Sequence, residues 1–223
     1  MKTAIYTIRC LTNMHVGKGD ATYEVVDNCV QRDVTTGFPC IYSSSLKGAL
    51  RQYFSSKKFP HIRHVFGSDA NNKDLSHSVG HFTFFQANLI GYPVRTEGGN
   101  ETYILRTNNK LIKPIENLAK LLGVEDLFNQ AKPNLTENEN LLAELEQLPV
   151  IARNNLDNGE SQNLWYEEVI PSEARFVFFV SYDDEEIFKE FDKILQESPV
   201  QIGANGSIGY GFCKIENIIK IQK

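Results

Sequence analysis

The chain has 223 residues, a formal net charge of −5, 41% hydrophobic and 23% charged residues. That length can bury one domain-sized core, and no apolar run approaches the roughly 20 residues a membrane helix needs. Its four cysteines (Cys10, Cys29, Cys40, Cys213) include no C-x-x-C pair, so they indicate neither a disulfide framework nor a zinc knuckle and fit a reducing cytoplasm.

In chain order, Lys2–Leu11 alternates Ile, Tyr and Thr with polar residues, which predicts a first strand running to about residue 12 and not a signal peptide. A glycine-broken loop follows, His15-Val16-Gly17-Lys18-Gly19-Asp20. Beyond Pro39, Ser43-Ser44-Ser45 offers N-caps for a helix through Leu46, Leu50 and Phe54 that ends near Lys58, before Pro60. A strand is expected over His81–Leu89, stopped at Gly91-Tyr92-Pro93. Helices are expected over Lys113–Gly123 and Thr136–Gln147. Phe176–Tyr182 predicts a buried strand and Glu185–Gln196 a helix with an acidic first turn. A glycine-rich loop, Gly203–Gly211, leads into a last strand, Phe212–Ile219. The order β-α-β … β-α-β predicts an α+β fold with a ferredoxin-like or RRM-type core carrying insertions.

Charge is unevenly distributed. Between Val34 and Ser68 there is no acidic residue, while Lys47, Arg51, Lys57, Lys58, Arg63, His61 and His64 all fall there. A cationic strip on an acidic body is the pattern of a polyanion-binding surface, RNA first among candidates. A chain of this net charge is not expected to bind nucleic acid as a free-standing module, but a subunit lining a shared groove can. Lys47 and Arg51, four apart, share a helical face near a helix N-terminus, where phosphate is favoured. Four glycines in nine residues, Gly203 to Gly211, let exposed N–H groups approach phosphate oxygens, or else make only a tight connection. That spacing fits neither the P-loop nor the dinucleotide fingerprint.

Catalytic candidates are carboxylates and a histidine. Asp27, in a polar loop after the first strand, can bind a divalent ion or polarise a ribose 2′-OH, or simply cap a turn; the residue pattern does not set it above Asp20 or Asp33. His15 is a candidate general base or a structural histidine. The single tryptophan, Trp165, sits in Leu164-Trp165-Tyr166-Glu167-Glu168, where aromatics can stack on bases or anchor a hairpin.

Several segments in order resemble one family. These are His15–Gly19, Asp27–Asp33 with Thr36-Gly37-Phe38-Pro39, Ser43–Arg51, Gly80–Phe84 with Tyr92-Pro93-Val94-Arg95, Leu164–Glu168 with Pro171-Ser172-Glu173, and Gly203–Gly211. Each piece is unspecific alone, but the ordered set is similar to the backbone subunits of type III-B CRISPR effector complexes, the fourth Cmr subunit family of the RAMP superfamily. The resemblance implies an RRM-like palm, an inserted helical region and a thumb β-hairpin near residues 148–170 that carries Leu164, Trp165 and Tyr166. It also implies a subunit that polymerises head to tail on CRISPR RNA, alongside other effector subunits, and cuts complementary single-stranded target RNA at regular intervals. The family's cleavage aspartate falls on Asp27, which would also be the ligand of a divalent metal, Mg or Mn. Guide contacts fall on His15, Lys18, Arg32, Ser44, Ser45, Lys47, Arg51 and, in the glycine loop, Gly203, Asn205, Gly206, Gly209 and Gly211. Ala204 and Tyr210 depart from the family's usual glycine and basic residue, which implies a weaker phosphate contact there. Two other readings remain open: a non-cleaving guide-binding scaffold, and a stand-alone metal-free ribonuclease processing precursor RNA through His15.

Overall fold

A computed structural model describes residues 1–19, 26–68, 78–98, 100–131 and 135–218; Asp20, weighed above, and Ile219 lie outside them. In chain order the elements are β1 (Lys2–Cys10), β2 (Cys40–Ile41), α1 (Ser43–Ser56), α2 (Ile62–Phe66), β3 (Thr83–Phe84), β4 (Ala87–Arg95) and β5 (Tyr103–Thr107). They continue with α3 (Asn109–Leu121), α4 (Glu125–Ala131), β6 (Thr136–Glu137), α5 (Leu141–Glu146), β7 (Val150–Asp157) and β8 (Glu160–Glu168). Last come β9 (Arg175–Tyr182), α6 (Glu185–Leu195), β10 (Val200–Gln201) and β11 (Phe212–Asn217).

The main sheet runs β10-β11-β1-β9-β4-β5-β6, with β2 on β4 and β3 on β9. Its centre, β11-β1-β9-β4, is antiparallel throughout. Two βα units therefore interleave, β1–α1–β4 with β9–α6–β11. This is a mixed α/β fold built around one large sheet.

Both faces of the central strands are covered. Tyr6 and Ile8 of β1, with Phe176, Phe178 and Val180 of β9, pack with Leu46, Leu50 and Phe54 of α1 and Phe191 and Leu195 of α6. Ile5, Val177 and Phe179 face the other way, onto Ile112, Ile115, Ala119 and Phe128 of α3 and α4. The unbroken apolar run Phe176–Val180 follows from this, because a strand buried on both sides has no polar alternation. Phe54 of α1 stacks on Phe191 of α6 at 4.5 Å between centroids, locking the two helices together.

Four expectations need correction. Gly91-Tyr92-Pro93 does not stop a strand. A register shift between Leu89 and Gly91 lets β4 leave β9 and continue on β5, with Pro93 opposite Leu105. The first middle helix starts at Asn109, capped by Asn108, whose side chain accepts from the Lys110 N–H; Pro114 lies inside it. Thr136 is not helical: β6 pairs parallel with β5 there, and the helix is confined to Leu141–Glu146. The expected His81–Leu89 strand is split into β3 and β4.

β7 and β8 form a separate antiparallel hairpin, with Val150 opposite Glu168 and Asp157 opposite Glu160. Leu164 and Tyr166 are exposed on it and Trp165 is half-buried.

Candidate nucleic-acid interface and cleavage residue

Three loops meet at the foot of the β7–β8 hairpin. The segment 26–32 runs beside the end of β8: the Asn28 N–H donates to the Tyr166 carbonyl at 3.1 Å, and the Glu168 N–H donates to the Asn28 carbonyl at 2.9 Å. On its other side it pairs with 14–18, through Lys18 N–H to the Cys29 carbonyl at 3.0 Å and Gln31 N–H to the Val16 carbonyl at 2.8 Å. The glycine loop rests on that second segment. Its Ala204 N–H donates to the His15 carbonyl and its Gly211 N–H to the Asn13 carbonyl, both at 2.8 Å. Motifs from opposite ends of the sequence thus become one surface.

Asp27 is exposed at this junction. Its Oδ2 accepts the Tyr166 backbone N–H at 2.8 Å, so the carboxylate is held against the hairpin while remaining at the surface.

Below it, adjacent carboxylates of β8 point to opposite sides and tie the loops. Glu168, buried, accepts from Arg32 Nη2 at 2.6 Å and from the Val30 N–H at 3.0 Å. Glu167, also buried, accepts from Arg153 Nε, from Trp165 Nε1 at 3.0 Å and from Asn205 Nδ2 at 3.0 Å. Burial alone raises the pKa of Glu167, but Trp165, Arg153 and the nearby His15 outweigh it and hold the carboxyl below its usual value. Arg153 also lies over the Tyr210 ring, 4.6 Å from its centroid. The hairpin and the glycine loop thereby touch through Arg153 and Tyr210.

A groove of about 370 Å³ opens next to these loops, lined by Gly17, Gln31, Ser44, Ser45, Gly48 and Gly203 with Val16, Ala49, Gln52 and Gln201. It sits at the N-terminal end of α1, whose first turn has no acidic residue and no side-chain cap, so its field favours an anion. Lys47 and Arg51 do not line the groove. They follow Ser44 and Gly48 by three positions each, on the flanking helical face. Burial first, then the Arg51 charge, lowers the Lys47 pKa; Arg51 Nη1 donates to the Gly67 carbonyl at 3.1 Å.

Lys18 is exposed beside Asp27's segment. His15 is buried, with Nδ1 2.7 Å from the Glu168 carbonyl, and is enclosed by protein. Arg32 is engaged by Glu168 and by the Leu145 and Gly37 carbonyls. Gly203, Gly209 and Gly211 have positive φ, as does Asn205 at 64°. Gly206 opens a short 3-10 turn. The N–H groups of 204 and 208–211 are all used inside the protein.

The cationic strip divides. Lys47 and Arg51 stay by the groove, whereas Lys57, His61 and His64 face Glu197, Glu190 and Asp183 of the α6 region. Sequence reasoning missed Gln31, which is buried. It donates to the Gly17 carbonyl and Ser45 Oγ and accepts the Tyr42 N–H, holding the groove's floor together. Its only signal was position, between two motifs.

Among the described residues no helix is long and apolar enough to cross a membrane. The sequence profile of the RAMP superfamily matches residues 7–214. The "CRISPR system Cmr endoribonuclease Cmr4" of Pyrococcus furiosus is 25% identical over 96% of this chain and 95% of its own length. The "CRISPR system CMR subunit Cmr4" of Saccharolobus solfataricus is 29% identical over 61% of this chain and 47% of its own. Among solved structures, a chain of the type III-B Cmr-beta complex in its apo state superposes with TM-score 0.80 at 22% identity, covering 97% of each chain. A chain of that complex bound to cognate target RNA gives 0.78 at 20% identity, covering 99% of each. Oligomeric Cmr4 from Pyrococcus furiosus gives 0.65 at 21% identity, covering 98% of this chain and 99% of that one.

Proposed function

The chain belongs to the RAMP superfamily, and we propose that it is the guide-binding backbone subunit of a type III-B effector, polymerising along CRISPR RNA and cutting complementary target RNA. On this reading the β11-β1-β9-β4 sheet with α1 and α6 is a ferredoxin-like palm, and β7–β8 is the thumb that displaces a base pair. The observation that carries the proposal is the exposed Asp27 carboxylate fixed to the hairpin's foot by the Tyr166 N–H, beside a groove opening at the α1 N-terminus. The relative named as an endoribonuclease matches along nearly the full length of this chain.

The chemistry asked of the protein is small. A groove that holds phosphates without touching base edges leaves sequence to pairing with the guide. A target nucleotide splayed at the hairpin's foot presents its 2′-OH and scissile phosphate to a positioned carboxylate. Asp27 then either accepts the 2′-OH proton or serves as one ligand of Mg²⁺ or Mn²⁺. A hard oxygen donor suits such an ion. The one described cluster of three or more metal-ligating side chains does not include Asp27, so an ion there would draw other ligands from RNA phosphate and water.

Assembly tests the reading. Mixed with CRISPR RNA, the chain is expected to elute as a filament, and the filament with a complementary RNA to yield fragments at a constant spacing. A chain that stays monomeric on guide RNA refutes the backbone assignment. Fragments that persist unchanged in chelator support the 2′-OH route over the metal route.

A further inference from the structure

At the far end of β9 from Asp27, about 27 Å along the strand by its rise per residue, His64, His81 and Asp183 converge. Their ligand atoms all lie within 4.8 Å of one another. His81 Nδ1 is 2.7 Å from Asp183 Oδ2 and His64 Nε2 is 3.4 Å from Asp183 Oδ1. The two imidazoles stack at 4.3 Å between centroids, 15° apart.

Backbone geometry builds this convergence. β3 pairs with β9 through Thr83–Ser181, and the same antiparallel count carried two residues further sets His81 opposite Asp183. The His81 N–H donates to the His64 carbonyl at 2.8 Å, fastening the segment before β3 to α2. Gly80 permits that approach, since a Cβ there would lie 2.5 Å from the Val65 carbonyl oxygen. Asp184, next in line, caps α6 by accepting from the Glu186 and Ile187 N–H groups, fixing the chain at Asp183. Of the carboxylates Asp183–Glu186, Glu185 and Glu186 pair with Lys2 and Lys189 and Asp184 caps the helix, which leaves Asp183 as the one turned to the two imidazoles.

We propose that His64, His81 and Asp183 form a binding site for a borderline transition-metal dication, Zn²⁺ being the representative. Two imidazoles and one carboxylate are a known three-ligand protein set for zinc, with water completing the tetrahedral coordination, and imidazole nitrogen disfavours Mg²⁺. An ion held by His81 Nδ1 and His64 Nε2 leaves each ring one proton, on its other nitrogen, and any second ring proton is released to solvent. The side chains are 30%, 54% and 44% exposed, so an ion can enter from solution. Bound there, it clamps α2 and the start of β3 to the head of α6. This site is separate from Asp27 and does not depend on the nuclease reading.

The test is calorimetric titration of the full chain with ZnCl₂, alongside thermal melts. One equivalent is expected to bind and to raise Tm, with MgCl₂ at the same concentration giving no shift. His64→Gln, His81→Asn and Asp183→Asn, each verified as folded by circular dichroism, are expected to weaken binding by more than the roughly 10–100-fold typical of losing a group that merely supports a ligand. Cys29→Ser is expected to bind as the parent does. No heat and no Tm shift with Zn²⁺, or binding that survives the three substitutions, would overturn the assignment.

Discussion

The Arg32 guanidinium donates to Glu168 Oε1 at 2.6 Å across 136 residues of sequence. Both side chains are largely buried, 25% and 10% exposed, so the arginine that the motif marked as an RNA contact is committed to holding the Asp27 segment on the hairpin. Removing one member of such a pair leaves the other charge desolvated. Arg32→Ala is therefore expected to cost about 3 kcal/mol of stability, the low end for a broken buried pair because the arginine is a quarter exposed, while leaving the salt dependence of guide binding unchanged. Denaturant titration together with binding at several salt concentrations checks both halves; a reduced salt slope would return Arg32 to the RNA.

Lys47 and Arg51 are expected to behave in the opposite way. Lys47→Ala with Arg51→Ala should weaken guide retention and lower the slope of log K against log salt by roughly one for each phosphate these side chains neutralise. Filter binding across a salt series reads this directly. An undiminished slope would move the guide's path off the α1 flank.

The glycine loop separates steric need from conformational need. Gly211 has φ +75°, and a Cβ there would drive into the Ile202 carbonyl; Gly209 has φ +87°, with nothing within 4 Å of a Cβ. Gly209→Ala is expected to cost about 1 kcal/mol, the usual penalty for a left-handed alanine. Gly211→Ala carries that plus a backbone displacement, more than about 2 kcal/mol in total. Melting temperatures that fall equally would show that Gly211 does not sit against the Ile202 carbonyl as described.

Glu173 is one of the carboxylates held below the usual value, with Glu167, Asp33 and Asp183, and so contributes to acid sensitivity. Burial raises its pKa, but hydrogen bonds from Arg9, Arg175 and Tyr103 outweigh that and hold the carboxyl below its usual value. A depressed folded-state pKa contributes stability that is present above the unfolded value of about 4.3 and is lost as pH falls through the lower folded value. Parent and Glu173→Gln are thus expected to differ most near neutrality and to converge at low pH. Urea unfolding at pH 7 and pH 3 measures this; a gap that widens in acid contradicts it.

Legibility in the sequence followed periodicity. α1 and α6 each bury one helical face, β9 is a continuous apolar run covered on both faces, and β1 is a long run of Ile, Tyr and Thr; their ends fell within about two residues of expectation. β4 did not, because only tertiary pairing with β5 reveals that Pro93 sits in a strand. The site was legible as motifs but not as roles. Nothing local shows that His15 is enclosed, that Arg32 belongs to Glu168, or that Gln31 holds two loops and a helix together. These roles arise from partners between 11 and 153 residues away. Spacing left the glycine loop open as either a phosphate cradle or a tight connection; its packing on residues 13–15 and its internal turns use the N–H groups of 204 and 208–211.

The most direct measurement uses one substitution, Asp27→Asn, in filaments assembled on CRISPR RNA. The amide retains an oxygen to accept the Tyr166 N–H, so folding, assembly and target binding should match the parent, while regularly spaced fragments disappear. Undiminished cutting by a correctly assembled Asp27→Asn filament would remove the carboxylate from the reaction and leave the chain as a scaffold.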